Sequence, residues 1–489
     1  MSDSKVKIEE VGHLSRLLAV NEDMAILENF TETKPSVEER LAFGKAFRSK
    51  VPRADHAHYE KSLNRPDPVD IIEKQNLIRV QKLVPVRYAR MLASPFAFLR
   101  GSAAIMADDL ARTEITGMQV NACGDMHVAN FGVYASAERN LVFAINDFDE
   151  THPAPWEWDV KRLAASAVVA VQYMGGDKAA AADAARAIVR SYRKRIRRYA
   201  EMGYLEVWYD RIDEQAILGT LSPKLRRRAE RAIARAREKG HVQVLEKLTE
   251  QVNGEHRIVE DIPLIVRETH TEQGTPVKVA LDHMLRSYLE SLPLDRRRLL
   301  SRHRIVDAAR KVVGVGSVGT ACWVILLQGV DSEDPLFLQV KEAQPSVLQP
   351  YVDAKFPFKN EGRRVVVGQR LTQGSPDIFL GWGHTEGKDF YVRQLADMKG
   401  SMNFGEGDRD QIEPFMEYCG LCGWALALAH AKSGDPAKIA GYCGNSAALD
   451  DAIAKFALAY AQQTDEDHDA LDKARRSGRI RVANETRAK

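Results

Sequence analysis

The sequence predicts an α+β protein built from a small antiparallel β unit and a larger helical unit. Short apolar or alternating runs, typical of strands, occur at 117–150 and again at 311–345. Helical patterns fill most of the remaining chain, and the helix predicted from Asp159 onward is apolar on nearly every face, which indicates burial. A chain of 489 residues is also too long for one ordinary core. We therefore expect two or three packed units.

Composition indicates a soluble globular protein, with 45% apolar and 28% charged residues and a formal net charge of +2. No window approaches the roughly 20 apolar residues of a membrane span, and the N-terminus has no apolar secretion signal. We therefore expect a cytoplasmic protein with no membrane partner. Basic runs at 190–199, 224–239 and 295–304 are expected to be solvated helix faces, so nucleic acid is not an expected partner. Five scattered cysteines do not form a disulfide framework, and Cys419 and Cys422 lie in a helical apolar stretch that favours packing over zinc binding.

One group of polar residues has the chemistry of a phosphoryl-transfer site. Asp125 and Asn130 lie in GDMHVANFG, on a loop between a predicted strand and a predicted hairpin, and Asp147 follows that hairpin. Phosphoryl transfer needs a carboxylate to accept the proton of a hydroxyl and oxygen ligands for magnesium. Asp125 is therefore the candidate base, and Asn130 and Asp147 are candidate Mg²⁺ ligands. Each of them taken alone could also be an ordinary turn former.

A glycine-rich segment follows almost two hundred residues later, with Gly314, Gly316 and Gly319 in a GxGxxG pattern. A dinucleotide-binding loop would open into a helix, whereas the next residues, TACWVILL, have the composition of a strand. Strand, glycine loop, strand is the arrangement that covers the phosphates of ATP in protein kinases. The loop glycines, Ser317 and Lys341 on the next predicted strand are therefore candidate ATP ligands. Taken singly, such a pattern is often a simple hairpin and such a lysine is usually solvated.

The order of these elements is reversed relative to protein kinases, in which the glycine loop and lysine come first. The simplest account is a protein-kinase-like two-lobe fold that is circularly permuted, with a small antiparallel β lobe encoded inside a large helical lobe. The predicted units are an N-terminal helical or loop extension (1–90), a first segment of the large lobe with the catalytic loop and metal site (91–200), a helical insertion (201–305), the small β lobe (306–405), and a second, helical segment of the large lobe with a polar tail (406–489).

Several stretches resemble the bacterial family called domain of unknown function 2252. They are RPDPVDIIEKQ, LVPVRYARMLASPFAFLRGSAAIMADDLA, GDMHVANFG, NDFDETHPAPWEWDVKRLAAS, GQRLTQGSPDIFLGW and YVRQLADMKGS. GDMHVAN followed by NDFDE also resembles the aminoglycoside and choline phosphotransferase branch of kinase-like proteins. That resemblance implies that Asp125 is the base, that Asn130 and Asp147 are metal ligands, and that Lys341 is a phosphate ligand. It also implies that Asp149 is a second acidic group at the metal edge.

We therefore expect an ATP- and Mg²⁺-dependent phosphotransferase acting on a hydroxyl acceptor, a small molecule or a protein, that the sequence does not identify. Transfer of AMP on the same fold and a pseudokinase that works through partners remain alternatives. The sequence does not indicate the oligomeric state. Glu361 is the candidate acidic partner of Lys341, and Asp159 is expected to cap the helix that it begins. Arg100 is expected to contact the phosphates or to form a structural salt bridge.

Overall fold

The computed structural model describes residues 31–238, 241–353, 358–395, 400 and 402–483. The first 30 residues of the predicted extension and the last six of the predicted polar tail lie outside these ranges. The described chain is a mixed α+β structure with small antiparallel sheets, as the sequence predicts.

The α-helices and strands follow one another in several alternating blocks. The helices are α1 (Val37–Ala46), α2 (Pro68–Asn76), α3 (Val84–Leu92), α4 (Pro95–Gly101), α5 (Ala103–Leu110), α6 (Trp156–Tyr173), α7 (Lys178–Ala200), α8 (Tyr204–Tyr209), α9 (Glu214–Thr220), α10 (Pro223–Glu238), α11 (His241–Leu248), α12 (Val277–Ser291), α13 (Leu294–Leu300), α14 (Glu361–Thr372), α15 (Ile412–Ser433), α16 (Pro436–Cys443) and α17 (Ala448–Arg476). The strands are β1 (Gln119–Ala122), β2 (Phe131–Ala135), β3 (Leu141–Ile145), β4 (His152–Pro155), β5 (Ile212–Asp213), β6 (Thr249–Val252), β7 (Glu255–Ile258), β8 (Ile265–Val266), β9 (Arg304–Lys311), β10 (Cys322–Gln328), β11 (Pro335–Ala343), β12 (Gly381–Thr385) and β13 (Lys388–Gln394).

The largest sheet has six antiparallel strands in the order β12-β13-β11-β10-β9-β8. The glycine-rich segment joins β9 to β10, and Lys341 lies on β11 opposite Cys322 of β10 and Tyr391 of β13. Helix α12 covers one face of the sheet, where Met284 and Tyr288 join an apolar cluster with strand residues. The segment RRVVVGQRLT, which follows β11 in the chain and whose pattern fits either a helix or a strand, lies in α14.

The helical unit is built around α6, α7, α15 and α17. Nearly all of α6 is buried, including its apolar residues on every side, as its sequence predicts. Trp156 at its start stacks on Tyr192 of α7, with ring centroids 5.6 Å apart. Cys419 and Cys422 are free and buried in α15, so their predicted packing role is confirmed. No helix within the described ranges is long and apolar enough to cross a membrane.

The segment predicted as a helical insertion, 201–305, is not helical throughout. It also contains the β6–β7 hairpin, and its β8 adds a strand to the six-stranded sheet. Leu245 of α11 and Ile258 of β7 form an apolar cluster with Phe337 of β11. The insertion therefore covers part of the sheet face that is opposite to α12.

Candidate active site

The loop that follows β1 is held in place by the helix α6. Asp159 of that helix accepts hydrogen bonds from the backbone N–H groups of Cys123 (2.6 Å) and Gly124 (3.0 Å). His430 of α15 lies on the other side of Asp159, with its Nε2 3.3 Å from Oδ2. A buried carboxylate that accepts several hydrogen bonds is a strong anchor. It fixes the position of Asp125, the next residue of the loop.

The predicted capping role of Asp159 is wrong. Helix α6 begins three residues earlier, at Trp156, and Pro155 precedes it without a side-chain cap. Asp159 lies inside the helix, and its carboxylate is free to reach the neighbouring loop. The sequence places the residue correctly on α6 but does not reveal which backbone groups it satisfies.

Asp125 faces the cleft between the loop and the sheet and has one oxygen already engaged. Nε of Arg162 donates to its Oδ1 at 3.1 Å, and Nη2 of the same guanidinium makes a second, short contact. Nε2 of His127 lies 3.7 Å from Oδ2. Burial lowers the pKa of His127 to about 4, so this ring is neutral near pH 7 and does not neutralise the carboxylate. Oδ2 of Asp125 is therefore the oxygen that can accept a proton from a ligand.

Asn130 and Asp147 meet beside Asp125. Nδ2 of Asn130 donates to the backbone oxygens of Asp147 (3.1 Å) and Asp125 (3.3 Å), which orients the amide. The side chain of Asp147 is 43% exposed, yet its Oδ1 is buried and accepts no hydrogen bond from any described residue. Burial opposes ionisation of Asp147, but the positive charges of Lys341 and Arg393 outweigh it and lower its pKa. An ionised carboxylate with an unsatisfied oxygen is suited to a cation.

Lys341 lies between the two aspartates that follow the hairpin. Its side chain is 2% exposed, and Nζ lies 2.6 Å from Oδ2 of Asp149 and 3.6 Å from Oδ1 of Asp147. Burial disfavours the charged lysine, but both aspartates outweigh it and raise the pKa of Lys341. The hydroxyl of Tyr391 donates to the other oxygen of Asp149. Because both of its oxygens are occupied, Asp149 is a weaker candidate for a metal ligand than Asp147.

Glu361, the expected partner of Lys341, does not contact it. Its carboxylate pairs with Arg364 on the same helix, α14. The guanidinium of Arg364 also donates to the backbone oxygens of Asp149 and Thr151. Helix α14 is therefore tied to the site through an arginine, and the acidic partner of Lys341 comes from the β3–β4 connection instead.

The glycine-rich segment lies directly over Asp125. A Cβ atom on Gly316 would lie 3.1 Å from the backbone oxygen of Arg100 and 3.9 Å from Oδ2 of Asp125. Gly314 and Gly319 have φ values of 67° and 89°, which L side chains rarely adopt. Glycine at these positions allows the loop to turn and to approach the carboxylate closely.

These elements enclose a cleft with a cavity of about 240 Å³. Of the nine sequence-predicted site residues, those that line it are Asp125, Asn130, Asp147, Asp149, Gly314, Gly316 and Ser317. Lys341 reaches the cleft through its contacts with the two aspartates, and Gly319 packs against the side chain of Arg79 at the far end of the loop. The structure therefore brings the predicted residues together in one place.

The side chains of the cleft can be compared with the ligands that Mg²⁺ requires. Within the described ranges, no three His, Cys, Asp or Glu side chains are arranged to hold a metal ion by themselves. Magnesium, however, is usually bound by one or two carboxylates together with substrate phosphates and water. Asp147, with its unsatisfied oxygen, and the neighbouring amide of Asn130 fit that smaller requirement.

Sequence reasoning missed Arg162 and Tyr391. A signal existed for Arg162, because an arginine inside a helix that the sequence predicts to be buried must find a partner. Tyr391 had no such signal. Its contact with Asp149 depends on the pairing of β11 with β13, which the sequence alone does not specify.

The fold and the site define a mixed α+β protein in which the glycine-containing turn of an antiparallel sheet lies against a loop rich in carboxylates. A family model described as "Uncharacterized protein conserved in bacteria (DUF2252)" matches residues 79–474, and the chain belongs to this family. The predicted membership of this family is thus confirmed, although the first of the quoted stretches, RPDPVDIIEKQ, precedes the matched residues. No curated protein and no solved structure matches the chain.

Proposed function

We propose that this protein is an ATP- and Mg²⁺-dependent phosphotransferase with a permuted protein-kinase-like fold. The observation that carries the proposal is the meeting, in one cleft, of the glycine loop, the Lys341–Asp149 pair and the loop of Asp125 and Asn130. These groups come from two stretches of the chain, 125–149 and 314–341, which lie more than 160 residues apart in the sequence. Their meeting in one cleft supports the proposal, because phosphoryl transfer uses the same kinds of group together.

The order of elements supports the permuted arrangement. Strand β9, the glycine loop, β10, β11 with Lys341, α14 and the β12–β13 pair follow one another as in the small lobe of a kinase. The helices after this sheet, α15 and α17, pack against α6 and α7, which come before it. The helical unit is therefore assembled from both ends of the chain.

In the proposed reaction, Oδ2 of Asp125 accepts the proton of an acceptor hydroxyl while the hydroxyl oxygen forms a bond to the γ-phosphorus of ATP. The bond from that phosphorus to the bridging oxygen breaks, and ADP leaves with the electron pair. Arg162 holds the other oxygen of Asp125 and so fixes its orientation. Asp147 and Asn130 would hold Mg²⁺, whose chemistry is to neutralise phosphate charge. Lys341 would turn its ammonium from Asp149 to a phosphate oxygen.

Thermal unfolding with and without Mg-ATP tests the nucleotide site. A ligand at 100 times its dissociation constant stabilises the folded state by about 2.7 kcal/mol, and we expect such a shift in the wild type. Asp147→Asn and Lys341→Ala should weaken it. Lys388→Ala is a matched control, because Lys388 lies in the same sheet but pairs with Glu342. Equal shifts in all four proteins would contradict the assignment.

Turnover tests the chemical step separately. Asp125→Asn should abolish product formation while leaving the Mg-ATP shift largely intact, since Asp125 is assigned to the acceptor. The mass of the modified acceptor distinguishes phosphate from AMP, which is the alternative transfer reaction on the same fold. A variant that turns over at the wild-type rate would show that Asp125 is not the base.

One observation favours a second candidate, a binding module without catalysis. Phe337 lies on the same face of β11 as Lys341, four residues away, and packs against Leu245 and Ile258 of the insertion. These apolar side chains occupy sheet surface on which a nucleotide base could otherwise lie. Absence of any Mg-ATP shift in the wild type, with an intact fold, would favour this alternative.

A further inference from the structure

Three arginines that line the cleft form no ion pair with any described residue. Arg79, Arg87 and Arg100 come from the segment before the catalytic loop, and all three face the same cavity. No carboxylate of a described residue lies within ion-pair distance of any of them. Their Nε atoms are buried and donate to no group of the described residues. Burial lowers the pKa of each and outweighs the opposing charges of nearby acids, chiefly Glu150 for Arg79 and Asp125 for Arg100.

Deeply buried arginines elsewhere in the described chain are compensated by carboxylates. Five arginines whose side chains are at most 9% exposed each form an ion pair: Arg65 with Asp109 and Asp467, Arg162 with Asp125, Arg193 with Asp450, Arg310 with Glu268, and Arg364 with Glu361. Burying a charge is costly unless it is paired. Arg87 is buried to the same extent without such a pair, and the half-buried Arg79 and Arg100 line the same cavity, so this side of the cleft is suited to a negative charge from a ligand.

Arg100 is the best placed of the three to act beside the reacting groups. Its backbone oxygen lies under Gly316, and the nearby acid that acts on its charge is Asp125. Asp125 is itself bound to Arg162, so its charge is shared between the two arginines. His127, next to both, has a buried Nδ1 without a hydrogen-bond partner among the described residues. Arg100 and His127 thus offer unused nitrogen atoms beside the proposed base.

Arg79 and Arg87 continue the positive region under the glycine loop. Nη1 of Arg79 donates to the backbone oxygen of Val318 at 2.6 Å, and Arg87 donates to Gln75 and to the backbone of Gly101. These bonds are to neutral groups. They hold the guanidinium groups in place without cancelling their charge.

We propose that Arg100, assisted by the positive charges of Arg79 and Arg87 in the same cavity, binds an anionic group, phosphate or carboxylate, carried by the acceptor substrate. The assignment of this anion to the acceptor substrate rests on the proposed phosphotransferase function, whereas the anion site itself rests on the arginines. Lys341 and the glycine loop are assigned to the nucleotide, which leaves the Arg100 end of the cleft, beside Asp125, for the second substrate. An anion held there would place its hydroxyl next to the proposed base.

The experiment measures binding of inorganic phosphate to the full chain by thermal shift and calorimetry. We expect phosphate to stabilise the wild type and Arg100→Gln to raise the phosphate dissociation constant by about tenfold or more, the effect of losing a charge-assisted hydrogen bond. Without phosphate, Arg100→Gln should unfold at or above the wild-type temperature, because it removes a buried charge that has no partner. Arg190→Gln, on an exposed face of α7, is the charge-matched control and should bind phosphate like the wild type.

A second arm repeats the titration at a saturating concentration of Mg²⁺ and a non-hydrolysable ATP analogue. Phosphate binding that persists supports a subsite for the acceptor. Phosphate binding that disappears overturns that assignment, since the arginines would then bind the phosphates of the nucleotide. Wild-type and Arg100→Gln proteins with equal phosphate affinity would overturn the site itself. Phosphate binding without any nucleotide binding would support the anion site and refute the phosphotransferase.

Discussion

The ion pair between Lys341 and Asp149 provides the sharpest test of the arrangement. Lys341→Met keeps most of the side-chain volume but removes the ammonium that lies 2.6 Å from Asp149. Removing one partner of a fully buried pair costs about 3–5 kcal/mol, because the remaining charge is left without a partner. The side chain of Asp149 is 26% exposed, so water can relieve a share of this cost. We therefore expect a loss of about 2–3 kcal/mol in the free energy of unfolding.

A double-mutant cycle separates this pair from other effects of the substitution. Adding Asp149→Asn to Lys341→Met removes the uncompensated charge, so the double variant should recover most of the lost stability. Urea unfolding followed by both fluorescence and circular dichroism measures each variant, and coincident transitions justify a two-state free energy. Lys388→Met is the control, since Lys388 is 30% exposed and its pair with Glu342 should contribute less than about 1 kcal/mol.

A coupling free energy near zero in this cycle would refute the reasoning. It would mean that Lys341 and Asp149 do not interact in solution as they do in the structure. Destabilisation by Lys388→Met as large as that by Lys341→Met would refute it as well, since the loss would then reflect the sheet and not the buried pair.

Three further predictions concern the loop and the acid stability of the fold. Asp159→Asn should cost about 2 kcal/mol in urea unfolding, because the charged acceptor of two loop N–H groups becomes neutral; an unchanged midpoint would contradict its anchoring role. Gly124→Ala should lower the free energy of unfolding by about 1–3 kcal/mol more than Gly254→Ala does. Both glycines have positive φ, but only at Gly124 would the new Cβ meet a backbone oxygen, at 2.5 Å, so equal costs would count against the close approach. Burial lowers the pKa of His56 to about 3. Between about pH 6.5 and pH 3, only the unfolded chain therefore binds a proton at His56. The free energy of unfolding should fall by about 1.4 kcal/mol for each pH unit across that range as the pH is lowered. Unfolding measured across that range should have a smaller slope in His56→Gln, and an identical slope would refute the assignment.

Patterns within short stretches predicted the individual elements of the site well. The strand-loop-hairpin order around Asp125 and the strands on both sides of the glycine loop are present, because period-two apolar patterns and turn residues act locally. The burial of α6 also followed from its composition. The α+β class is confirmed, whereas the kinase-like fold, its permutation and the cofactors stay predictions.

Contacts between distant segments could not be predicted in the same way. The partner of Lys341 was sought on α14, where a kinase has a glutamate, but Asp149 lies 192 residues earlier in the chain. Nothing local distinguishes Asp149 from Glu361 as a partner. The β6–β7 hairpin was missed for a related reason, since its strands are short and largely exposed and carry little apolar pattern.

The same dependence on distant segments explains how the loop that carries Asp125 is held. The backbone N–H of Asn121, just before the loop, donates to Oγ of Ser433 on α15, 312 residues away. The hydroxyl of Tyr418, also on α15, donates to the backbone oxygen of Val128 inside the loop at 2.8 Å. The loop therefore reaches its geometry only when the last segment of the chain has packed against the first. Lengthening the chain between these contacts adds little further cost to folding, because the entropic cost of closing a loop grows only with the logarithm of its length, by about 0.6 kcal/mol per doubling. The small β unit can thus be encoded between the two segments of the helical unit without preventing the site from forming.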